Sequence, residues 1–334
     1  MREVLGKTSP GGNGYKEFGP MAVRCMFWGM NRRDFLLRSS LLVSAGVLAR
    51  ASLQAQPAAP AMLGAFRPLR RNVGLYTGRG GTIGWLANAD AVVAVDTQFP
   101  DTAAECLAGL PGRAGRMLDA VINTHHHRDH TSGNGVFKPA SKTIVAQENA
   151  RKLQFAAAER DGTVASQVFA NETFSEVWRR ELGDEVVTAQ YHGAGHTKGD
   201  VIVHFERANV VHLGDLLFNR AYPVIDREGG ASVRHWITVL EEAVATYPKD
   251  AIYMCGHGNP KFGVTGTQGD LLVFRDYLSG LCEHVEKEIA AGKKKEEIVT
   301  LANLPGFDDF HAPLPNRLGG NLSVAYDELT DKQG

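Results

Sequence analysis

Leu118-Asp119-Ala120-Val121-Ile122-Asn123-Thr124-His125-His126-His127-Arg128-Asp129-His130 runs from an apolar segment straight into a cluster of metal-type side chains. The segment is short, rich in β-branched residues and closed by polar ones, which predicts a buried strand with the histidines on the loop at its C-terminal end. In an extended or loosely turned loop, side chains at i and i+2 share a side. His125 and His127 can therefore grip one cation while Asp129 and His130 turn toward a neighbouring one, and His126, between the first two, points away. Three more donors follow, each after a glycine that lets backbone pack close to an ion: His196, Asp215 and His257. Imidazole and carboxylate together suit zinc, although iron or manganese accepts the same donors. The expectation is a two-metal site with ions roughly 3.5 to 4 Å apart.

Working outward, short runs rich in valine, isoleucine and threonine predict strands at 72–77, 82–87 and 91–96, then a helix at 102–110 before the quoted stretch. Further strands are expected at 143–145, 185–190, 201–205, 210–213 and 251–254, with helices at 147–158 and 232–247. Strands alternating with helices argue for a layered α/β architecture. Beyond 267 the pattern is helical to 291. A Lys-rich turn, a short helix at 296–302 and a tail with Pro305, Pro313 and Pro315 follow, and together they read as a cap or lid rather than a separate domain.

The 334 residues are 43% hydrophobic, and Lys plus Arg (36) nearly balance Asp plus Glu (37), for a net charge of −1. That balance supplies no field to hold nucleic acid or an acidic membrane, which leaves a small molecule as the expected partner. Cys25 lies in a leader, while Cys106, Cys255 and Cys282 are far apart and lack C-x-x-C spacing. They build neither a thiolate zinc site nor a dense disulfide framework and read as buried thiols, with one bridge open to an exported chain. Residues 1–55 read as an N-terminal extension ending in an export signal: Met30 and Asn31, then Arg32-Arg33-Asp34-Phe35-Leu36, an apolar run at 41–48 too short to span a bilayer, and small residues to Ala55. The paired arginines resemble the twin-arginine signal, which predicts a periplasmic or otherwise exported protein with no stable membrane insertion once the signal is removed. Residues 56–71 read as a linker, 72–265 as the domain bearing the site and 266–334 as a helical extension.

His-x-His-x-Asp-His at 125–130, Gly-His-Thr-x-Gly-Asp at 195–200, Gly214-Asp215 and Gly256-His257-Gly258, in this order, resemble the metallo-β-lactamase fold superfamily over about residues 72 to 262. The resemblance implies an αββα sandwich with a C-terminal helical extension and metals at one edge. It implies that His125, His127 and His196 hold the first zinc, that Asp129, His130 and His257 hold the second, and that Asp215 bridges both. Asp96 matches the family's strand-end aspartate and would orient a ligand by hydrogen bond, while a turn-capping aspartate is the alternative. His192, His204, His212 and His235 lack ligand spacing, with His192 the best outside candidate for the pocket wall. Tyr222, Arg220 and Arg227 lie in a loop at 218–231 that could line a substrate site.

Two such ions bring the pKa of a shared water toward neutrality and supply a hydroxide, with Asp129 and Asp215 as the catalytic carboxylates. Asp215 departs from true β-lactamases, which makes lactam cleavage the weaker alternative. Lys293-Lys294-Lys295 is a poor match to a glutathione-binding segment and reads as a solvated turn, and Phe218 stands where quorum-signal lactonases carry tyrosine. Flavodiiron proteins carry glutamate at the position of His127. The chain looks most like exported zinc hydrolases near the quinoprotein-associated metallohydrolases and the glyoxalase II group. The expected activity is hydrolysis of an ester, thioester, lactone or amide bond. The alternative is an iron-containing sulfur dioxygenase on the same fold.

Overall fold

The computed structural model describes residues 64–331. The leader reading at 1–55, Cys25 included, lies outside the described residues. Helices surround two sheets. The first sheet takes the order β1 (Ala65–Arg70), β2 (Val73–Thr77), β3 (Ile83–Ala87), β4 (Val92–Val95), β5 (Ala120–Asn123), β6 (Ile144–Gln147) and β7 (Glu172–Phe174). The strands β1 to β4 meander antiparallel, whereas β4 to β7 pair parallel. Each parallel step requires a crossover, and helices supply it: α1 (Pro100–Gly109), the single turns α2 (Arg128–Thr131) and α3 (Asn134–Phe137), and α4 (Glu148–Arg160).

The second sheet contains β8 (Val177–Leu182), β9 (Glu185–Tyr191), β10 (Val201–Phe205), β11 (Val210–His212), β13 (Ile252–Met254) and β15 (Thr265–Gly266), in the order β15-β13-β11-β10-β9-β8. A two-stranded ribbon joins β12 (Phe218–Asn219) to β14 (His257–Gly258). On its outer face lie α5 (Val233–Thr246), α6 (Gln268–Ala290), the turn α7 (Lys295–Ile298) and α8 (Arg317–Thr330).

The alternation of strand side chains sorts the core into three seams. Val93, Val95 and Ile122 face Val187, Val201, Val203 and Phe205 between the sheets. Val92, Ala94 and Val121, the neighbours in sequence, point the other way onto Ala103, Cys106, Phe137 and Ala150 of the first helical layer. On the far side, Ile202, Val211 and Tyr253 meet Trp236, Leu240, Phe274 and Leu278. Burial on both faces explains why 120–122 is a continuous apolar run, in which Val121 and Ile122 each contribute about 1.5–3 kcal/mol. This is the expected αββα sandwich.

Two expectations are corrected. Part of the linker at 56–71 is strand: β1 pairs with β2 from Ala65↔Thr77 to Arg70↔Val73. The extension after 266 begins as helix, as expected, but it forms one layer with α5 instead of only covering the fold. Thr267 and Asp270 close a capping box at the start of α6. Cys106, Cys255 and Cys282 are buried free thiols, and no described helix is long and apolar enough to cross a membrane.

Candidate metal centre

All the predicted donors meet at one edge of the sandwich. The strands β4, β5, β11 and β13 run their C-terminal ends to this edge, and β10, antiparallel to β11, brings its N-terminal end there. Asp96 follows β4, the histidine cluster follows β5, Asp215 follows β11, His257 follows β13, and His196 precedes β10. Donors scattered over the chain converge because strand ends share an edge.

Ligand atoms of His125, His127, His196 and Asp215 lie within 4.8 Å of one another, and so do those of Asp129, His130 and His257. Asp215 faces both groups. Its Oδ2 is 3.9 Å from His125 Nε2, 3.5 Å from His196 Nε2 and 3.5 Å from His257 Nε2, while its Oδ1 is 3.1 Å from His130 Nε2. Asp129 Oδ2 stands 2.9 Å from His257 Nε2 and 3.7 Å from His130 Nε2. The backbone differs from the expected loop: Arg128–Thr131 closes one helical turn, with His127 as its N-cap. That turn aims Asp129 at His257, while the His130 ring stays 4.2 Å from that of His125, so the two groups adjoin.

The donor set fits cations. His125 Nε2 is buried without a hydrogen-bond partner, and buried His130 Nε2 and Asp215 Oδ1 have only each other at 3.1 Å, a costly arrangement unless positive ions satisfy these atoms. Charge tells the same story. Burial lifts the Asp215 carboxyl, but His257 and His130 outweigh it and hold the group well below the carboxylate range. Asp129 is likewise brought down to about 2 by His130 and His257 against its burial. Burial drives His125 well below the usual histidine value and His196 to about 3, so both are neutral donors.

A scaffold of hydrogen bonds aims the rings. Asp96 is fully buried at a left-handed φ of 67°, strain that its contacts hold in place. It accepts from Thr124 N and Thr124 Oγ1, each at 2.8 Å, and its Oδ2 lies 2.8 Å from His130 Nδ1. Asp96 therefore holds the His130 ring and the Thr124 backbone rather than capping a turn. His196 Nδ1 is 2.8 Å from the Val224 carbonyl, which leaves Nε2 for the cluster. His127 Nε2 is 2.9 Å from Asp226 Oδ2, which leaves Nδ1 for the cluster, and Gly229 N donates to Asp226 Oδ1 at 2.8 Å. The segment 224–229 thus steers two rings of one group. Nothing local in sequence marks Asp226, which lies 99 residues from its histidine.

His126 turns outward as expected, with Nε2 3.5 Å from Asp226. His192 does not line the pocket. It bonds Glu242 and Tyr247, and His212 is locked between the Thr82 carbonyl and Gly214 N. Arg220 and Arg227 are tied to Asp270 and Asp331. Tyr222 and Phe218 do line a cavity of about 390 Å³ that opens on Asp129 and His257. Phe218 stacks on the His257 ring at 5.6 Å. The Lys-rich turn is engaged elsewhere, with Lys293 on Glu288 and Lys295 on Asp327.

An αββα sandwich carrying histidine and aspartate donors at one shared edge defines a class of metal-binding folds. The chain belongs to the metallo-beta-lactamase superfamily, whose family model matches residues 76–257. A Schizosaccharomyces pombe protein named as a probable hydroxyacylglutathione hydrolase is 26% identical over 188 residues, which are 54% of this chain and 65% of that relative. The chain thus spans less than two thirds of that relative's length. A metallo-beta-lactamase from Pontibacter korlensis superposes with a TM-score of 0.55 at 18% identity, covering 65% of this chain and 99% of the other. A double mutant of a sec-alkyl sulfatase reaches 0.61 at 15% identity, covering 80% of this chain and 50% of the other. At such identities the structural likenesses speak for the fold.

Proposed function

We propose that the chain is an exported two-metal hydrolase of an ester, thioester, lactone or amide bond. The observation that carries this reading is Asp215, whose carboxylate faces both donor groups beside the partnerless buried Nε2 of His125. His125, His127 and His196 would hold one cation, Asp129, His130 and His257 the other, and Asp215 both. Bound there, such ions acidify water and draw charge from the oxygen of the bond under attack.

The chain's own residues supply the rest. Asp129 keeps 29% of its side chain exposed toward the cavity and is ionised at neutral pH, so it can accept a proton from water and return it to the leaving atom. Phe218, Ala221 and Val264 wall that space and limit water. Thioester cleavage draws support from the hydroxyacylglutathione hydrolase relative. Arg32, Arg33, Phe35 and Leu36 before an apolar run support export. Replacing both arginines by lysine should leave the protein inside the cell on fractionation.

The deciding experiment assays purified protein of measured metal content against ester, thioester, lactone and β-lactam panels. Two zinc ions per chain with turnover of an ester, thioester or lactone is the expected result. A single iron with oxygen consumption on a persulfide would replace this reading by the sulfur dioxygenase one.

A further inference from the structure

The cavity beside Asp129 and His257 has an unusual lining. Most of its lining is apolar, with Phe218, Ala221, Val264, Pro313 and Leu314, yet it also contains Arg317. Arg317 forms no ion pair or hydrogen bond with a described residue, and its Nε is buried without a partner. Burial alone acts on this guanidinium, pulling its pKa below the ordinary value. Arg220, in the neighbouring loop, has Asp270 at 3.1 Å, whereas Arg317 has no such acid. It is also the first residue of α8, a helix of 14 residues with no side-chain cap, so the positive end of the helix adds to its charge. A partly desolvated cation without a counter-charge is expensive to keep, and an anion arriving with a ligand removes that cost.

We propose that Arg317 binds an oxyanion on the substrate, so that the molecule cut at the metal centre is a small organic acid: an apolar body with a carboxylate or sulfonate-type group at the end remote from the scissile bond. The apolar walls take the body, and the guanidinium fork takes the anion. Cleavage of such a molecule rests on the hydrolase reading above, whereas recognition of the anion does not.

The test separates the two. Isothermal titration of the metal-loaded protein with hexanoate, hexanesulfonate and hexanol measures recognition without turnover. Hexanoate should bind more tightly than hexanol, and Arg317→Gln should weaken it roughly 10- to 100-fold, as loss of a charged hydrogen-bond partner does. Arg317→Lys should recover part of the affinity, which guards against a folding defect in the glutamine variant. Equal affinity of hexanesulfonate assigns the site to oxyanions in general, and its failure to bind assigns it to carboxylates. Hexanoate affinity unchanged in Arg317→Gln overturns the proposal whether or not the protein hydrolyses anything. If it does, mono-4-nitrophenyl glutarate should show a raised KM with kcat retained in Arg317→Gln, while 4-nitrophenyl butyrate is unaffected. A parallel change for both esters would also refute the assignment.

Discussion

Asp215 is 4% exposed and touches both halves of the donor cluster, so its removal leaves each half one anion short. Asp215→Ala and His127→Ala should abolish turnover and metal content together, and full activity in either would sink the two-metal reading. Asp226→Asn is subtler. Its amide keeps the shape but lacks the charge that holds His127, so metal affinity should fall roughly 10- to 100-fold, the range for a partner of a ligating histidine. Chelator competition measures this, and Asp226→Asn binding as tightly as the parent would show that the contact is incidental. The protonation pattern gives a pH dependence. Burial opposes the charged form of His130, but Asp215, Asp129 and Asp96 raise it well above the usual histidine value; His257 is raised by Asp215 and Asp129 against the same penalty. A cation must expel these protons. Apparent metal affinity should therefore keep rising as pH climbs past the usual histidine value, and a flat profile there would mean the rings are already neutral.

At the scale of elements, the site depends on how strand ends pack. Gly256 ends the chain's approach from β13, and a Cβ there would fall on Asp215 Oδ1, well inside van der Waals contact. The glycine before His257 thus makes room for another donor's side chain rather than for an ion. Gly256→Ala should lower metal content while the circular dichroism spectrum stays close to that of the parent. Helix α5 reaches the centre through Trp236, fully buried, whose Nε1 donates to the Leu216 carbonyl at 3.0 Å and whose ring lies 5.6 Å from that of His196. Trp236→Ala should cost about 3–5 kcal/mol in denaturant unfolding, as large buried aromatics do. The strands of the two sheets were legible because their valine-rich runs are buried on both faces. The strands β1, β7, β8 and β15 were not, since they are short or, like Ala65–Arg70 and Val177–Leu182, largely exposed with charged residues among the apolar ones.

For the whole molecule, the C-terminal extension completes the core behind the centre and contributes to the cavity lining. Leu271, Phe274, Leu278, Leu281 and Val285 of α6 share one core with Trp236 and Val239, so removal of residues 266–334 should yield insoluble protein, and a soluble, metal-binding fragment would show the extension to be dispensable. The sequence by itself marked the candidate donors and a layered α/β architecture, while their two groups and the αββα class came from the family resemblance of its motifs. Those readings rest on local facts: a strand's apolar run and the residues directly after it lie within a few positions of each other. Only the tertiary structure decided that Asp96 and Asp226 aim the rings, that His192 lies off the pocket, and that Arg317 stands unpaired in the cavity that His257 also lines. These roles depend on which distant segments share an edge, and a side chain's partner across the fold leaves no mark in the spacing around it.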